Sequence, residues 1–266
     1  MNTLDLLRDI VPALRDTRGK VASTLIVLWI GAVFTNFSWV SVVYPMAAVI
    51  VSVVVDILGT KARFGRDVFS LSSVVTGLLI GLILDPKGGV IPLLGACFIA
   101  SLCKQFLGRG PHRHMFNPAA IGLVISSLFF GGTISWWGAG WGFIPLIVLA
   151  IGMYIALSQL HRLWIPALFL LTYFLSNLLY STPAASLGLT LDGTVFLFAF
   201  VMLPEPMTSL LFGGWRYGWG IFVGLLIFLL NFIHVPLTDP FLVPLLVANA
   251  IGFFFVRPRM LLNSRS

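Results

Sequence analysis

Two acidic residues beside prolines are the first candidates for chemistry in this sequence. Asp85 lies near the end of the apolar run SSVVTGLLIGLILDP, and Glu205 lies between Pro204 and Pro206 at the end of DGTVFLFAFVMLPEP. A carboxylate in or beside such a run usually serves an ion, a proton or a partner charge. Proline interrupts a helix and frees backbone carbonyls for a cation or polar ligand. We expect both positions, with Asp56, to frame an ion or solute path; a kink with Glu205 facing water is the alternative.

The other carboxylates have simpler explanations. Asp192 and Asp239 are expected at the outer surface of the protein, where water hydrates a carboxylate, and the same position is the alternative for Asp85. Asp56 is close in sequence to Lys61 and Arg63, which are candidate partners for its charge. Pairing with them is therefore the alternative to a role of Asp56 in the path.

The segment KQFLGRGPHRHMFNPAAIG, residues 104–122, has the most unusual composition in the chain. Glycines and a proline interrupt the helix, and Asn117 and Pro118 then suit the cap and first turn of a new helix. The free N–H groups of such a helix start favour an anion or a polar ring. A basic loop followed by a well-capped helix, with no ligand, is the alternative.

The cysteines and histidines do not indicate a metal or haem site. Cys97 and Cys103 are six residues apart, about 600° of helical rotation, so they point to different faces of one helix. His234 is expected at the opposite end of the helices from the other three histidines, which excludes a facing pair for haem. No spacing fits zinc or an iron–sulfur cluster. We expect no metal site and no catalytic residue in the chain itself.

Composition places these residues in a membrane protein. Of 266 residues, 59% are hydrophobic and 9% charged, and the mean hydropathy is +1.03. Soluble domains are nearer about 45–50% apolar and about 25% charged. The net charge of +7 does not indicate nucleic-acid binding, because Lys and Arg typically mark the cytoplasmic loops of membrane proteins.

The apolar runs predict an all-α, polytopic fold of about ten transmembrane helices, several of them broken. The expected ranges are 21–36, 40–58, 70–84, 90–107, 118–136, 143–159, 163–180, 192–204, 217–233 and 240–256. With ten spans, fifteen of the sixteen basic residues fall on one side, and Lys87 is the exception. The positive-inside rule then predicts both termini in the cytoplasm and a multi-pass protein of a bacterial-type inner (cytoplasmic) membrane.

The two halves of the chain share a pattern. The two apolar runs that end in an acidic residue and proline are 120 residues apart. Because each half has five helices, the second half must be inverted relative to the first, as in many transporters. We expect an interfacial amphipathic cytoplasmic helix at 1–20, inverted five-helix repeats at 21–138 and 139–258, and a cytoplasmic tail at 259–266.

Several strings, in order, resemble one known family of membrane proteins: RnfD, from the Rnf complex, and NqrB, from the Na⁺-translocating NADH:quinone reductase. The strings are Val74–Pro86, Lys104–Gly110, Phe116–Gly122, Phe198–Ser209, Leu245–Gly252 and Arg257–Arg259. The resemblance to the RnfD/NqrB family implies ten helices in two inverted repeats, bound flavin, and electron transfer coupled to Na⁺ or H⁺ movement.

The resemblance also implies a site. Its cofactor-binding positions in this sequence are Thr76, Gly77, Lys104, Gln105, Phe116, Asn117, Pro118 and Thr208. The family attaches FMN to the Thr of a Ser-Gly-Ala-Thr-like string after the fifth helix, and residues 136–142 contain no such string. We therefore expect a short member of the family with non-covalent flavin, either riboflavin or FMN, and without covalent FMN.

Two functions remain open at this point. The first is a membrane flavin-binding electron-transfer subunit, the redox part of an oxidoreductase or translocase complex rather than a stand-alone enzyme. The chain has no nucleotide fingerprint, so its partners, besides the lipid bilayer, would be a cytoplasmic flavin reductase or other membrane subunits. The second is a redox-silent transporter or channel for a small solute or flavin on the same scaffold.

Overall fold

The computed structural model describes residues 16–107, 114–209 and 214–256. Helices make up most of this part of the chain, and the β-type bridge between two described residues joins Leu84 to Ile134. Most of the helix expected at 1–20 and the whole tail expected at 259–266 lie outside the described residues. The all-α fold class of a polytopic membrane protein is confirmed.

Eleven α-helices lie in the described ranges. They are α1 (Thr17–Thr35), α2 (Trp39–Phe64), α3 (Leu71–Ile83), α4 (Val90–Phe106), α5 (Pro118–Phe129), α6 (Ile144–Gln159), α7 (Trp164–Asn177), α8 (Pro183–Thr190), α9 (Gly193–Leu197), α10 (Trp215–Phe232) and α11 (Leu242–Ile251). Two π-helical turns, Phe198–Met202 and Gly252–Val256, continue α9 and α11. A short 3₁₀ turn, Pro86–Gly88, follows α3.

Each of the ten predicted segments contains an observed helix, and α8 is an addition. Polar caps explain several of the starts: Ser38, Ser70, Asn117 and Asp192 each accept a backbone N–H of the following turn. The backbone of Asp16 is extended, and the first helix begins at the next residue, Thr17. Residues 17–20 therefore belong to the first long helix and not to a separate interfacial one.

Several of the helices are shorter than a full membrane crossing, in agreement with the expectation of broken helices. By length and composition, α1 and α2 could each cross a membrane, and α8 with α9 and its π turn forms a pair, bent by 51°, that could make a third crossing. The other apolar helical stretches in the described ranges, with α10 counted from Tyr217 to Phe232, have 10–17 residues, and about 20 are needed to cross the hydrocarbon. At α3 and α5 the interruption follows from the sequence, because Asp85–Pro86 and Gly131–Gly132 come directly after the last turn of each helix.

The fifth helix shows this shortening most clearly. It was expected at 118–136 and ends at Phe129, where Gly131 adopts a positive φ of 70°. The following segment turns back to α3: the N–H groups of Ser135 and Trp136 both donate to the carbonyl of Ile83, at 2.9 and 3.0 Å. Residues 133–138 therefore cover the end of α3 instead of extending α5.

Glycines allow two close approaches between helices. A Cβ on Gly77 would lie 2.6 Å from the Cα of Val49, and a Cβ on Gly122 would lie 2.4 Å from the carbonyl oxygen of Ala96. Small residues at helix contacts are typical of membrane proteins, where dispersion contacts drive association. These approaches pack α2 against α3 and α4 against α5. They position four helix ends around one site.

The two halves of the chain meet through α1 against α6 and through α5 against α11. These are the first and the last helices of the two proposed five-helix repeats. The division into inverted repeats stays a prediction. Large apolar side chains remain on the outside, such as Phe34 at 85% and Trp39 at 74% exposed, as expected for surfaces solvated by lipid.

Candidate functional site

Two adjoining cavities lie at one end of the helix bundle. At this end α1, α3 and α5 begin and α2, α4 and α6 end, and it carries basic residues of the loops; we call it the basic end. The first, the apolar cavity, has a volume of about 240 Å³. The second, the polar cavity, has a volume of about 440 Å³. Both are bordered by Arg18, Ser72, His114 and Met207, so they share a wall.

The apolar cavity unites residues from distant parts of the chain. Thr76 and Leu79 come from α3, Asn117 and Pro118 from the start of α5, Met153 from α6, and Glu205 from the turn after the π helix. Aliphatic side chains form most of its wall, and the polar residues at its border include Asp16, Arg18 and His114 besides Thr76, Asn117 and Glu205. This combination is typical of sites that hold a mainly apolar ligand and orient it by a few hydrogen bonds.

The break before Glu205 is held by side chains from other helices. Met202, Leu203 and Pro204 have backbone carbonyls left without helical partners. They accept hydrogen bonds as follows: Met202 from Asn117 Nδ2 (3.3 Å), Leu203 from Trp219 Nε1 (3.2 Å) and Pro204 from Arg162 Nη1 (2.9 Å). The sequence indicated carbonyls available to a cation or ligand. The structure gives each of these three a protein donor, which fixes the turn in place.

Glu205 borders the apolar cavity. Its carboxylate accepts a hydrogen bond from the Thr208 hydroxyl at 3.2 Å, and its carbonyl accepts one from the Ser209 hydroxyl at 2.7 Å. Burial raises the pKa of Glu205 to about 7, against the opposing effects of the Thr208 hydrogen bond and of the cations at Lys104, Arg18 and Arg162. The group can therefore take up or release a proton near neutral pH.

Asp56 lies in a buried polar cluster between α2, α3 and α4. The Ser73 hydroxyl and the Lys104 ammonium, at 3.3 Å, donate to one carboxylate oxygen. The Gln105 amide donates to the other oxygen at 3.0 Å and also to the Thr60 hydroxyl at 3.1 Å. The side chains of Asp56 and Lys104 are only 6% and 7% exposed. The cluster forms one wall of the polar cavity.

The cluster shows that Lys104 is the charged partner of Asp56. The nearby sequence offered Lys61 and Arg63, but Lys61 forms an exposed ion pair with Asp67 at 3.2 Å. The charge of Asp56 is instead matched by Lys104, 48 residues later. Ser73, Thr60 and Arg18 were not anticipated as site residues, and the sequence carries no signal that would have identified them.

Asn117 joins three elements. Its backbone N–H donates to Asn249 Oδ1 of α11 at 3.0 Å, its side-chain oxygen accepts from the N–H of Ala120 at 3.0 Å, and its amide reaches Met202. Asn249 is a residue that sequence reasoning missed, although an amide in an apolar run was a signal. Its Nδ2 is buried and has no partner among the described residues.

The remaining expected site residues divide into those near the cavities and those elsewhere. Thr76 borders the apolar cavity and its hydroxyl donates to Ser72 O at 2.8 Å. Gly77 faces the backbone of α2 and serves packing. The Thr208 hydroxyl donates a hydrogen bond to the carboxylate of Glu205. Phe116 is half-buried beside Asn117 and is not among the residues bordering either cavity.

Asp85 does not join the other path residues. It lies at the far end of α3 from Ser72 and Thr76, and its carboxylate accepts the N–H of Lys87 at 2.9 Å. The cause is the direction of α3, which places its acidic end opposite the basic end. The structure therefore separates Asp85 from Asp56 and Glu205, and neither described cavity reaches it.

Asp239 differs from its expected place at the hydrated surface. It is 4% exposed and accepts the indole N–H of Trp136 at 2.8 Å. Its other oxygen accepts the N–H groups of Phe241 and Leu242, at 2.8 and 2.7 Å, at the start of α11. Asp239 is thus a structural cap that joins the two halves at the end opposite the cavities.

Comparison with known proteins confirms the resemblance inferred from the motifs. The family model described as "NQR2, RnfD, RnfE family" matches residues 13–140. The D subunit of the ion-translocating oxidoreductase complex of Alcanivorax borkumensis is 37% identical over 106 residues. That match covers 38% of this chain and 31% of the relative, so the chain spans about a third of the curated relative that it matches.

The family match covers one side of the site. Asp56, Thr76, Lys104 and Asn117 lie within residues 13–140, whereas the break at Glu205 lies beyond them. The geometry therefore adds what the comparison does not reach: the later half of the chain closes the apolar cavity with Glu205 and Met207.

Proposed function

We propose that this chain is a membrane subunit of an ion-translocating oxidoreductase complex and holds a non-covalent flavin in the apolar cavity. One observation carries the proposal: the positions expected from the resemblance, Thr76, Asn117 and Pro118, converge on one cavity with Glu205. The curated relative is named as a subunit of such a complex. By this proposal the flavin would lie at the cytoplasmic side of the inner membrane, where a reductase or another subunit would deliver electrons.

The donor set of the cavity fits a flavin. A flavin ring has two broad apolar faces and polar edges, and the cavity has aliphatic walls from residues such as Leu79 and Met153 with polar groups at Thr76 and Asn117. A bound flavin supplies one- and two-electron transfer chemistry. The chain would supply apolar walls that exclude water, and an amide at Asn117 that is fixed by α11 and by the π turn after α9.

Glu205 would supply the proton or ion coupling of this site. Its carboxylate borders the cavity, its turn is fixed by Arg162 at Pro204, and its pKa of about 7 lets it exchange a proton under physiological conditions. Lys104 and Asp56 would keep the neighbouring polar cavity charged and hydrated.

The direct test is flavin occupancy of purified protein and of a cavity-filling variant. Val75 borders the apolar cavity and Val74, next to it on α3, does not; both side chains are half-buried. We expect wild type to be yellow and bleached by dithionite, Val75→Phe to lose most of its flavin because the added ring occupies the cavity, and Val74→Phe to keep it. Colourless wild-type protein, even after incubation with riboflavin and FMN, would rule the proposal out.

A second candidate is a redox-silent transporter for a small solute or flavin. The observation that favours it is the absence of the covalent-FMN string: residues 136–142 instead form turns, of which 136–138 are bonded to the end of α3. This candidate would be supported by flavin-free protein that carries labelled riboflavin into lipid vesicles without any redox change. Stable flavin that exchanges electrons with a reductant but not with the bulk solution would exclude it.

A further inference from the structure

We propose that the polar cavity binds the phosphate of the flavin, so that this chain selects a phosphorylated flavin, such as FMN, over riboflavin. The inference rests on the proposed function and goes beyond it, because it names the form of the cofactor and assigns a second subsite. The subsite is formed by Arg18, Arg63 and Lys104 at the basic end of the bundle.

The charge of the polar cavity favours an anion. Among the described residues that border it, Arg18, Arg63 and Lys104 carry positive charge, and Asp56 is the one carboxylate. Three positive side chains and one carboxylate leave the border of the polar cavity with a net charge of two positive charges. A phosphate monoester carries about −1.5 to −2 charges at pH 7, so it matches this net charge, whereas the uncharged ribityl chain end of riboflavin does not.

The cations are arranged to meet a ligand. Lys104 is fixed by Asp56 at 3.3 Å and by Ser73 at 3.2 Å, which leaves part of its three-donor ammonium for another partner. The guanidinium of Arg63 lies over the rings of Phe64 and Phe106, at 5.0 and 5.9 Å from their centres. Such stacking holds the planar donor fork in place, and arginine forks match phosphate oxygens well.

Neutral donors and acceptors line the rest of the subsite. Thr60, Ser70 and Ser72 provide hydroxyl groups, and Gln105 an amide. His114 borders both cavities, and burial, with the nearby Lys104 charge, lowers its pKa to about 4. The imidazole is therefore uncharged at pH 7, and it adds hydrogen-bonding capacity without adding a charge.

The shared wall lets one ligand occupy both cavities. Arg18, Ser72, His114 and Met207 border each of them. The apolar cavity is bordered by aliphatic residues from α3, α6 and the Glu205 turn, and it suits a ring system. The larger polar cavity lies next to it and suits a hydrated, charged group on a short chain. An amphipathic ligand with one flat apolar part and one phosphate matches this order.

The experiment compares FMN with riboflavin on the full-length protein in detergent. Binding is followed by quenching of flavin fluorescence for wild type, Arg18→Gln, Arg63→Gln and the control Lys61→Gln. Arg18 and Arg63 are exposed at element ends, so their replacement leaves the fold intact. Lys61 lies on the same helix as Arg63, carries the same charge, and does not border the cavity.

We expect FMN to bind wild type about tenfold more tightly than riboflavin, as for a charge-assisted contact worth roughly 1.4 kcal/mol. Arg18→Gln and Arg63→Gln should each remove most of this preference by weakening FMN alone, whereas Lys61→Gln should keep it. Raising the salt concentration should weaken FMN and leave riboflavin unchanged. Excess inorganic phosphate should compete with FMN but not with riboflavin.

Each contrary result has a separate meaning. Equal affinity for the two flavins, or equal loss of both in the arginine variants, would overturn the phosphate subsite and leave the flavin proposal standing. Binding of neither flavin would overturn both. Loss of preference in Lys61→Gln as large as in Arg63→Gln would show that overall charge, and not this cavity, attracts FMN, which also overturns the subsite.

Discussion

The two acidic–proline breaks of this chain look alike in sequence and differ in structure. At the Asp85 break, backbone and indole N–H groups of residues 135–138 cover the last turn of α3. The bonds are Ser135 and Trp136 N–H to Ile83 O, Gly138 N–H to Leu82 O, and Trp137 Nε1 to Gly81 O and Leu84 O, all of 2.9–3.1 Å. One short segment, mostly through its main chain, therefore closes this break.

At the Glu205 break, the carbonyls are instead held by side chains of Asn117, Trp219 and Arg162 from three different parts of the chain. A main-chain hydrogen bond requires the two backbone segments to lie in direct contact. A side chain can donate to a carbonyl while its own backbone lies several ångströms away. Space remains between their elements, and the apolar cavity opens there. At the Glu205 break the hydrogen-bond donors are side chains of other elements, so the backbones stay apart and a cavity remains. At the Asp85 break the covering segment lies directly against the helix end.

The largest effect is expected for Asn117→Ala, which would release the Glu205 turn and leave the Asp85 break as it is. Asn117 is 2% exposed, and its side chain makes the bonds to Met202 and Ala120. Removing it leaves buried groups unpaired, at a cost of about 1–3 kcal/mol for each. We expect a lower unfolding temperature in detergent together with loss of flavin. Asn177→Ala is the control, because the described contacts of the Asn177 amide are with Tyr173 of its own helix. An unchanged midpoint for Asn117→Ala would contradict this account.

A smaller effect is expected when two tryptophans are replaced, each of which donates its indole N–H to a backbone carbonyl at one of the breaks. Trp219→Phe removes the donor to Leu203 at the Glu205 break, and Trp137→Phe removes the donor to Gly81 and Leu84 at the Asp85 break. Each change should lower the free energy of unfolding by about 1–2 kcal/mol. Only Trp219→Phe should also weaken flavin binding, since only its break borders the cavity. If the two variants bound flavin with equal affinity, the two breaks would not differ in their contribution to the flavin site, and the comparison would fail.

The smallest expected effect is the pH dependence carried by Glu205. Burial raises its pKa from the ordinary value of 4.5 to about 7, so the folded protein binds the proton more tightly than the unfolded chain. The contribution to stability is therefore greatest below pH 4.5, falls as the pH rises toward 7 and levels off above it. We expect a decline of about 1–2 kcal/mol after allowance for solvent screening.

Thermal midpoints at pH 5, 6, 7 and 8 measure this decline. Glu205→Gln should flatten the curve between pH 5 and 7, since its amide does not titrate. Asp85→Asn should leave the wild-type curve unchanged, because the Asp85 carboxylate lies at the other end of α3 and caps a local turn. If Asp85→Asn flattened the curve as much as Glu205→Gln, the titrating group would lie outside the cavity end.

Much of the site could be anticipated, and the reasons for the gaps are specific. Asn117–Pro118 was expected to start a helix, and it does, because both residue types favour the first turn. The anticipated opening of the helix at Glu205 is present, because Pro206 disfavours helix at the residue before it. The pairing of Asp56 with Lys104 could not be anticipated, since the residues are 48 positions apart and nearer cations were available.

The expected length of α5 shows a second kind of gap. Residues 130–136 continue the apolar run, so hydropathy extends the helix to 136. The structure ends it at Phe129, because the N–H groups that follow satisfy the end of α3. Hydropathy records which residues avoid water, and it does not record which backbone group will accept each N–H.

The solvent and the class of this protein follow from its amino-acid residues alone. Its excess of apolar residues, its caps and its prolines specify an all-helical membrane chain with interruptions at known positions, because these are local properties of residues and of their neighbours in the chain. Helix packing sets which interruption is covered and which is open, where Asp56 finds its counter-charge, and that Asp239 is buried as a cap between the two halves. These outcomes depend on which helix ends meet, and that depends on packing between residues far apart in sequence.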